Sequence, residues 1–132
     1  MIPNGLEEIH GAMELHDWFG YWPDFHDAEI TSLHLNRTGN SFLRVHTWNT
    51  TKEVDEKGYF VQAKHIVVEF ILNSVSDLCL NDFSGQNVIS GLEIERTSSG
   101  FRLELGACYG LAGTIDAETI SLQITPGKPS NS

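Results

Sequence analysis

The feature that most constrains the fold is a series of short β-rich runs joined by short polar connectors, which extends from about residue 28 to residue 125. Connectors such as residues 36–41, 84–87 and 97–100 are too short for parallel crossovers, which need about a dozen or more residues. The predicted strands are residues 28–35, 42–47, 59–72, 77–83, 92–96, 101–108, 113–115 and 119–124. We therefore expect a mostly antiparallel meander, folded into a curved sheet or a sandwich-like arrangement.

A short helical segment precedes the strands. Apolar side chains recur near helical spacing through residues 6–19, which predicts one or two short helical turns interrupted at Gly11. Gly20 and Pro23 then end any helix. The predicted fold class is therefore α+β, with a short N-terminal helical segment followed by the antiparallel sheet.

Length and composition predict one globular domain at residues 1–125, followed by a disordered tail at residues 126–132 that is rich in Pro, Gly and Ser. The start of the chain lacks a basic stretch and a long apolar run, and residues 66–72, the most apolar stretch, fall far short of a membrane-spanning helix. We expect a cytoplasmic protein without membrane association, in which Cys79 and Cys108 are core thiols.

The charge of the chain is strongly acidic and unevenly distributed. The net charge is −10, and residues 1–36 contain seven acidic residues but no Lys or Arg. This balance argues against a nucleic-acid partner, because neutralising phosphates requires clustered basic side chains. It predicts either a solvated face that only maintains solubility or a contact surface for a basic protein. That surface would comprise Glu7, Glu8, Glu14, Asp17 and Asp24.

Residues 22–29, with the sequence Trp-Pro-Asp-Phe-His-Asp-Ala-Glu, concentrate aromatic, acidic and imidazole side chains at the entry to the first strand. Pro23 makes this entry rigid, and the aromatic side chains Trp22 and Phe25 have enough apolar area to anchor it to the core. We expect His26 and Asp27 to bond to backbone groups at the turn and so to lock the helical layer onto the sheet.

The alternative function for this segment is a small metal-dependent hydrolase or ligand-binding protein that uses His26, Asp27 and Glu29. In an extended backbone, Asp27 and Glu29 share one face and His26 points the other way, so the segment supplies only part of a site. The remaining ligands would come from His34, His46 or His65. No cofactor and no catalytic residue is predicted, since this spacing lacks the second ligand pair of a zinc motif.

Residues 21–30 (Tyr-Trp-Pro-Asp-Phe-His-Asp-Ala-Glu-Ile) and residues 107–113 (Ala-Cys-Tyr-Gly-Leu-Ala-Gly) resemble the small bacterial family known as immunity protein 50. The resemblance extends over about residues 15–124. It implies a cytoplasmic protein that neutralises a cognate polymorphic toxin by binding the toxin domain, and it assigns no toxin-contacting residue. We therefore expect a non-enzymatic binding protein, or else an accessory subunit with an unrelated partner. The sequence does not predict the oligomeric state. The candidate motif residues for binding are Trp22, Phe25, His26, Asp27 and Glu29.

Overall fold

The computed structural model describes residue 6, residues 8–58 and residues 60–129, and these contain one helix and six strands. The helix is α1 (Ala12–Phe19), and the strands are β1 (Glu29–His34), β2 (Asn40–Val54), β3 (Phe60–Asn81), β4 (Val88–Thr97), β5 (Gly100–Tyr109) and β6 (Ala112–Pro126). Every strand pair is antiparallel. The predicted α+β class is confirmed.

Strands β2 and β4 extend beyond their predicted bounds, and β3 and β6 each join two of the predicted strands. In β3 the junction contains Ser74, whose φ is 55°, and a register shift between Val75 and Asp77. Such a bulge bends a strand without ending it, although its polar residues resemble those of a turn. Residue 59, where one predicted strand begins, lies outside the described residues.

The strands form a closed barrel in the order β1-β2-β3-β6-β5-β4. Pairing of β3 with β6 sets the β1-β2-β3 meander beside the β4-β5-β6 meander. The barrel closes at a short seam between β1 and β4, where the N–H of Ile30 donates to the carbonyl of Asn87 and the N–H of Ile89 donates to the carbonyl of Ala28, both at 2.9 Å. The sheet is curved, as expected, and its curvature brings the two edge strands, β1 and β4, together.

The hydrophobic core fills the barrel and includes one side of the helix. Phe25 and Phe70 are among its largest fully buried side chains, and their ring centroids lie 5.8 Å apart. Ala12, Leu15 and Phe19, which are spaced three and four residues apart on α1, belong to the same buried cluster. The helix thus completes the core of the barrel.

The start of α1 is held against β6 by a close backbone approach. The N–H of Leu122 donates to the carbonyl of His10 at 2.7 Å, and Gly11, with a φ of 90°, lies directly beside the carbonyl of Leu122. At the other end, the N–H of Gly20, with a φ of 83°, donates to the carbonyl of His16. The predicted interruption at Gly11 and the predicted end of the helix at Gly20 are both confirmed.

The expected location of the cysteines is wrong, because Cys79 and Cys108 are both exposed. In β3, Cys79 pairs with Thr114 of β6, and its neighbours Leu78 and Leu80 pair with Ile115 and Gly113. Ile115 is fully buried, so alternation along the strand turns Cys79 to the outer face.

The end of the chain is described only in part. Strand β6 ends at Pro126, and the N–H of Gly127 donates to the carbonyl of His65 at 2.7 Å. Residues 130–132 lie outside the described residues, so the predicted domain at 1–125 and tail at 126–132 stay predictions. Within the described part of the chain, no helix has the length and apolar composition needed to span a bilayer.

Candidate functional site

The motif at residues 22–29 forms a tight turn rather than an extended approach. Phe25 and Asp27 have positive φ values of 63° and 66°. The N–H of His26 donates to Oδ1 of Asp24 at 2.9 Å, and the N–H of Ala28 donates to the carbonyl of Phe25 at 3.1 Å. The extended backbone that would place Asp27 and Glu29 on one face is not present, because the backbone at Asp27 is left-handed.

This turn connects to β4 and so closes the barrel. The N–H of Asp27 donates to the carbonyl of Ile89 at 2.9 Å, continuing the seam at residues 28–30. Nδ1 of His26 lies 3.1 Å from the carbonyl oxygen of Ser90, which makes Nδ1 the donor. The imidazole of His26 bonds to the backbone as predicted, but the turn locks the edge strands of the barrel together, whereas the prediction placed it between helix and sheet.

The structure does not assemble the alternative metal site. His26 and Asp27 approach each other, with Nε2 and Oδ2 3.6 Å apart, and each side chain is about 60% exposed. Glu29 instead lies opposite His46 in the β1–β2 pairing, and His34 contacts the ring of Phe42. Among the described residues, no group of three His, Cys, Asp or Glu side chains is placed to hold a metal ion.

Three members of the predicted acidic surface lie outside α1, and a fourth, Asp17 on α1, has its Oδ1 3.4 Å from Nδ1 of His16. Glu7 lies outside the described residues. Glu8 forms an ion pair with Arg96 at the end of β4, and the carboxylate of Asp24 accepts the hydrogen bond within the turn. The carboxylates of Glu8 and Asp24 therefore already have partners within the fold.

The other two members lie on α1, on what we call the outer helix face, defined by Met13, Glu14 and Asp17. All three side chains are exposed, and Met13 is 49% exposed. Residues spaced three and four apart share one side of a helix, and the buried residues of α1 occupy the opposite side. Tyr21, which follows the helix, is 43% exposed and donates from its hydroxyl to Oδ1 of Asn49 at 2.9 Å.

A second acidic surface, on the outside of β4, β5 and β6, was not predicted. Glu93 lies directly opposite Glu104, in adjacent strands. Further along, Nε of Arg102 donates to Oδ1 of Asp116 at 2.7 Å, and this hydrogen bond holds the pKa of the Asp116 carboxyl below its usual value. Like charges opposite each other in a sheet are mildly destabilising, and only the register of the strands reveals such a pair.

His46, Trp48 and His65 form a cluster of rings on β2 and β3. Nε2 of His46 and Nδ1 of His65 are 3.0 Å apart, and the two imidazoles are stacked with centroids 5.2 Å apart. The ring of Trp48 lies 5.0 Å from that of His46. Burial lowers the pKa of both histidines; the charge of His65 lowers that of His46 further, and the positive charge of Lys128 lowers both. The pair is therefore neutral at neutral pH, joined by one shared hydrogen bond.

The histidine pair predicts how stability changes with pH. The pKa values of both histidines in the folded chain lie below the ordinary histidine value of about 6.5. At a pH between the folded values and the ordinary value, the unfolded chain therefore binds more protons than the folded chain. Stability from the neutral pair is present above pH about 6.5 and is lost as the pH falls through the folded pKa values. We expect the urea midpoint to fall between about pH 7.5 and 5.5, and less steeply in the double variant His46→Gln/His65→Gln. An equally steep fall in that variant would contradict the assignment.

Comparison with known proteins places these features in one family. A family model described as immunity protein 50 matches residues 11–127, a range that includes α1 and all six described strands. Both segments that carry the resemblance, residues 21–30 and residues 107–113, fall inside the match. No curated protein and no solved structure matches the chain.

Proposed function

Because the chain belongs to the immunity protein 50 family, we propose that it is a non-enzymatic protein that neutralises a cognate bacterial toxin by direct contact. The observation that carries this proposal is the family match, which covers the helix and every described strand. The expected site of action is the cytoplasm, where a toxin domain would meet its target. The partner is a protein, and the net charge of −10 favours a basic one.

We propose the outer helix face as the contact surface. Its carboxylates, Glu14 and Asp17, lie beside the exposed side chain of Met13, and Tyr21 follows at the end of the helix. Tyr and Met are enriched in protein interfaces, whereas an acidic charge pattern speeds encounter with a basic surface. Toxins that act on nucleic acids need basic substrate grooves, and carboxylates can occupy the phosphate positions of such a groove.

In this proposal the motif residues support the contact surface. Phe25 is 1% exposed, so it acts through packing. Trp22 is half-buried against the core. His26 and Asp27 are exposed beside the seam, and Glu29 begins β1 opposite His46. The segment therefore keeps the barrel closed while α1 presents the acidic side chains.

Co-expression with the cognate toxin domain tests the function. The wild-type protein should restore growth, and the double variant Glu14→Lys/Asp17→Lys should not, because it places two positive charges against a basic partner. With purified proteins we expect the dissociation constant to rise about ten-fold or more. Absence of rescue by the wild-type protein, at an expression level where the toxin is inhibitory, would refute the proposal.

The second acidic surface provides a matched control. Glu93→Lys/Glu104→Lys changes two exposed carboxylates, and each replacement raises the charge by 2, so both double variants move the net charge from −10 to −6. Rescue by this control together with failure of the helix variant would assign contact to the outer helix face. The opposite result would move the contact to the outside of β4 and β5.

A further inference from the structure

A polar groove lies on the outer surface of the barrel and shares no residue with the outer helix face. Its volume is about 530 Å³. Along its floor runs a row of paired residues from four adjacent strands, in the order Ser32, Arg44, Glu69 and Gln123. Lys128, which follows β6, lines the groove together with these residues. The size is within the roughly 300–1,000 Å³ that small-molecule sites occupy.

The groove carries positive charge in a chain that is otherwise acidic. Nε of Arg44 donates to Oε2 of Glu69 at 2.6 Å, and this ion pair offsets the one carboxylate of the lining. Within the described part of the chain, the ammonium group of Lys128 has no partner, and the guanidinium of Arg44 has no other partner. The groove therefore has an uncompensated positive charge, whereas the whole chain has 8 basic and 18 acidic residues.

The neighbouring groups suit an anion as well. The side chain of Arg44 is 56% exposed, so the terminal nitrogens of its guanidinium are accessible to a ligand. Thr31 of the lining donates to the carbonyl of Arg44, whereas Ser32, Gln123 and Thr125 make no side-chain hydrogen bond to any described residue. A guanidinium pairs with a carboxylate or a phosphate through two parallel hydrogen bonds, and hydroxyl and amide groups donate further bonds to the same oxygens.

We propose that this groove binds a small anionic ligand, with a carboxylate or phosphate group held between Arg44 and Lys128. This site goes beyond toxin binding, because it lies on the outside of β1, β2, β3 and β6 and shares no residue with the outer helix face. Phosphate and carboxylate ligands present the same charged oxygens to Arg44, so the two sources must be separated by experiment.

Titration of the full chain with citrate and with inorganic phosphate, monitored by NMR at constant ionic strength, tests the site. We expect saturable shifts of the amide signals of β2 and β3 next to the groove with at least one of the two anions. Tighter binding of citrate would identify a carboxylate ligand, and tighter binding of phosphate would identify a phosphorylated one. Arg44→Gln and Lys128→Gln should each weaken binding about five-fold or more.

Arg102→Gln is the matched control, because Arg102 also forms an ion pair on the outside of the barrel, with Asp116, but does not line the groove. This variant should bind the anion as the wild-type protein does. Lys128→Gln changes an exposed residue beyond the last strand, so it keeps the test decisive if Arg44→Gln does not fold. Shifts that do not saturate, or equal weakening in Arg102→Gln, would overturn the proposal without affecting toxin neutralisation.

Discussion

Replacing Phe25 with alanine should lower the free energy of unfolding by about 3–5 kcal/mol. The side chain is 1% exposed, and its ring contacts that of Phe70 on β3, on the other side of the core. Its backbone belongs to the turn that bonds to β4, so a cavity at this position also loosens the seam that closes the barrel. Large-to-small changes in a core lose both the transfer free energy of the ring and the contacts around the cavity.

Chemical denaturation with a two-state analysis measures this loss. The matched control is His26→Ala, one residue further along the same turn, whose side chain is 60% exposed and makes one hydrogen bond to a backbone carbonyl. We expect this control to cost about 1 kcal/mol or less. If the two variants lost stability equally, the motif would not act through the packing of Phe25.

Substituting Gly11 by alanine should also destabilise the fold strongly, by about 3 kcal/mol or more. The φ of Gly11 is 90°, which an alanine adopts only with strain. A Cβ there would overlap the carbonyl of Leu122, a backbone group that cannot rotate away. Relieving the overlap means separating α1 from β6, which breaks the hydrogen bond from the N–H of Leu122 to the carbonyl of His10.

The variant Gly20→Ala separates the effect of backbone strain from the effect of the overlap with Leu122. Gly20 has a similar φ of 83°, but a Cβ there would meet no atom within 4 Å. This control therefore measures the backbone strain alone, which we expect to cost about 1 kcal/mol. Thermal unfolding of both variants measures the remaining effect. The difference between their midpoints gives the destabilisation caused by the overlap between Gly11→Ala and the carbonyl of Leu122. Equal midpoints would show that α1 can move away from β6 at no cost.

The class of the fold follows from local features of the sequence. Connectors such as residues 36–41 and 97–100 permit only antiparallel neighbours, and the structure contains only antiparallel pairs. The spacing of apolar residues before Gly20 predicted the helix, and Gly20 ends it. Family membership was also recognisable, because residues 21–30 carry an unusual order of residue types and the family match includes them.

Asn87 illustrates what local features do not reveal. In the sequence it is a polar residue in a connector, yet it is 4% exposed. Its Oδ1 accepts hydrogen bonds from the N–H of Ser84 and the N–H of Leu111, and its backbone carbonyl accepts the bond from Ile30 at the seam. Two of these partners, Leu111 and Ile30, are distant in the sequence, so the role of Asn87 in barrel closure had no signal in its own neighbourhood.

By itself, the sequence determined the helix and the cores of the strands, that the strands pair antiparallel, and which family the chain belongs to, since these depend on residue order over short distances. Tertiary structure alone decided that β3 pairs with β6, that the turn at residues 22–29 closes the barrel, and that Arg44, Glu69 and Gln123 lie in one row. Register is the physical reason. A shift of one residue moves every side chain to the opposite face, and a long-range pairing chosen by the whole core sets that register.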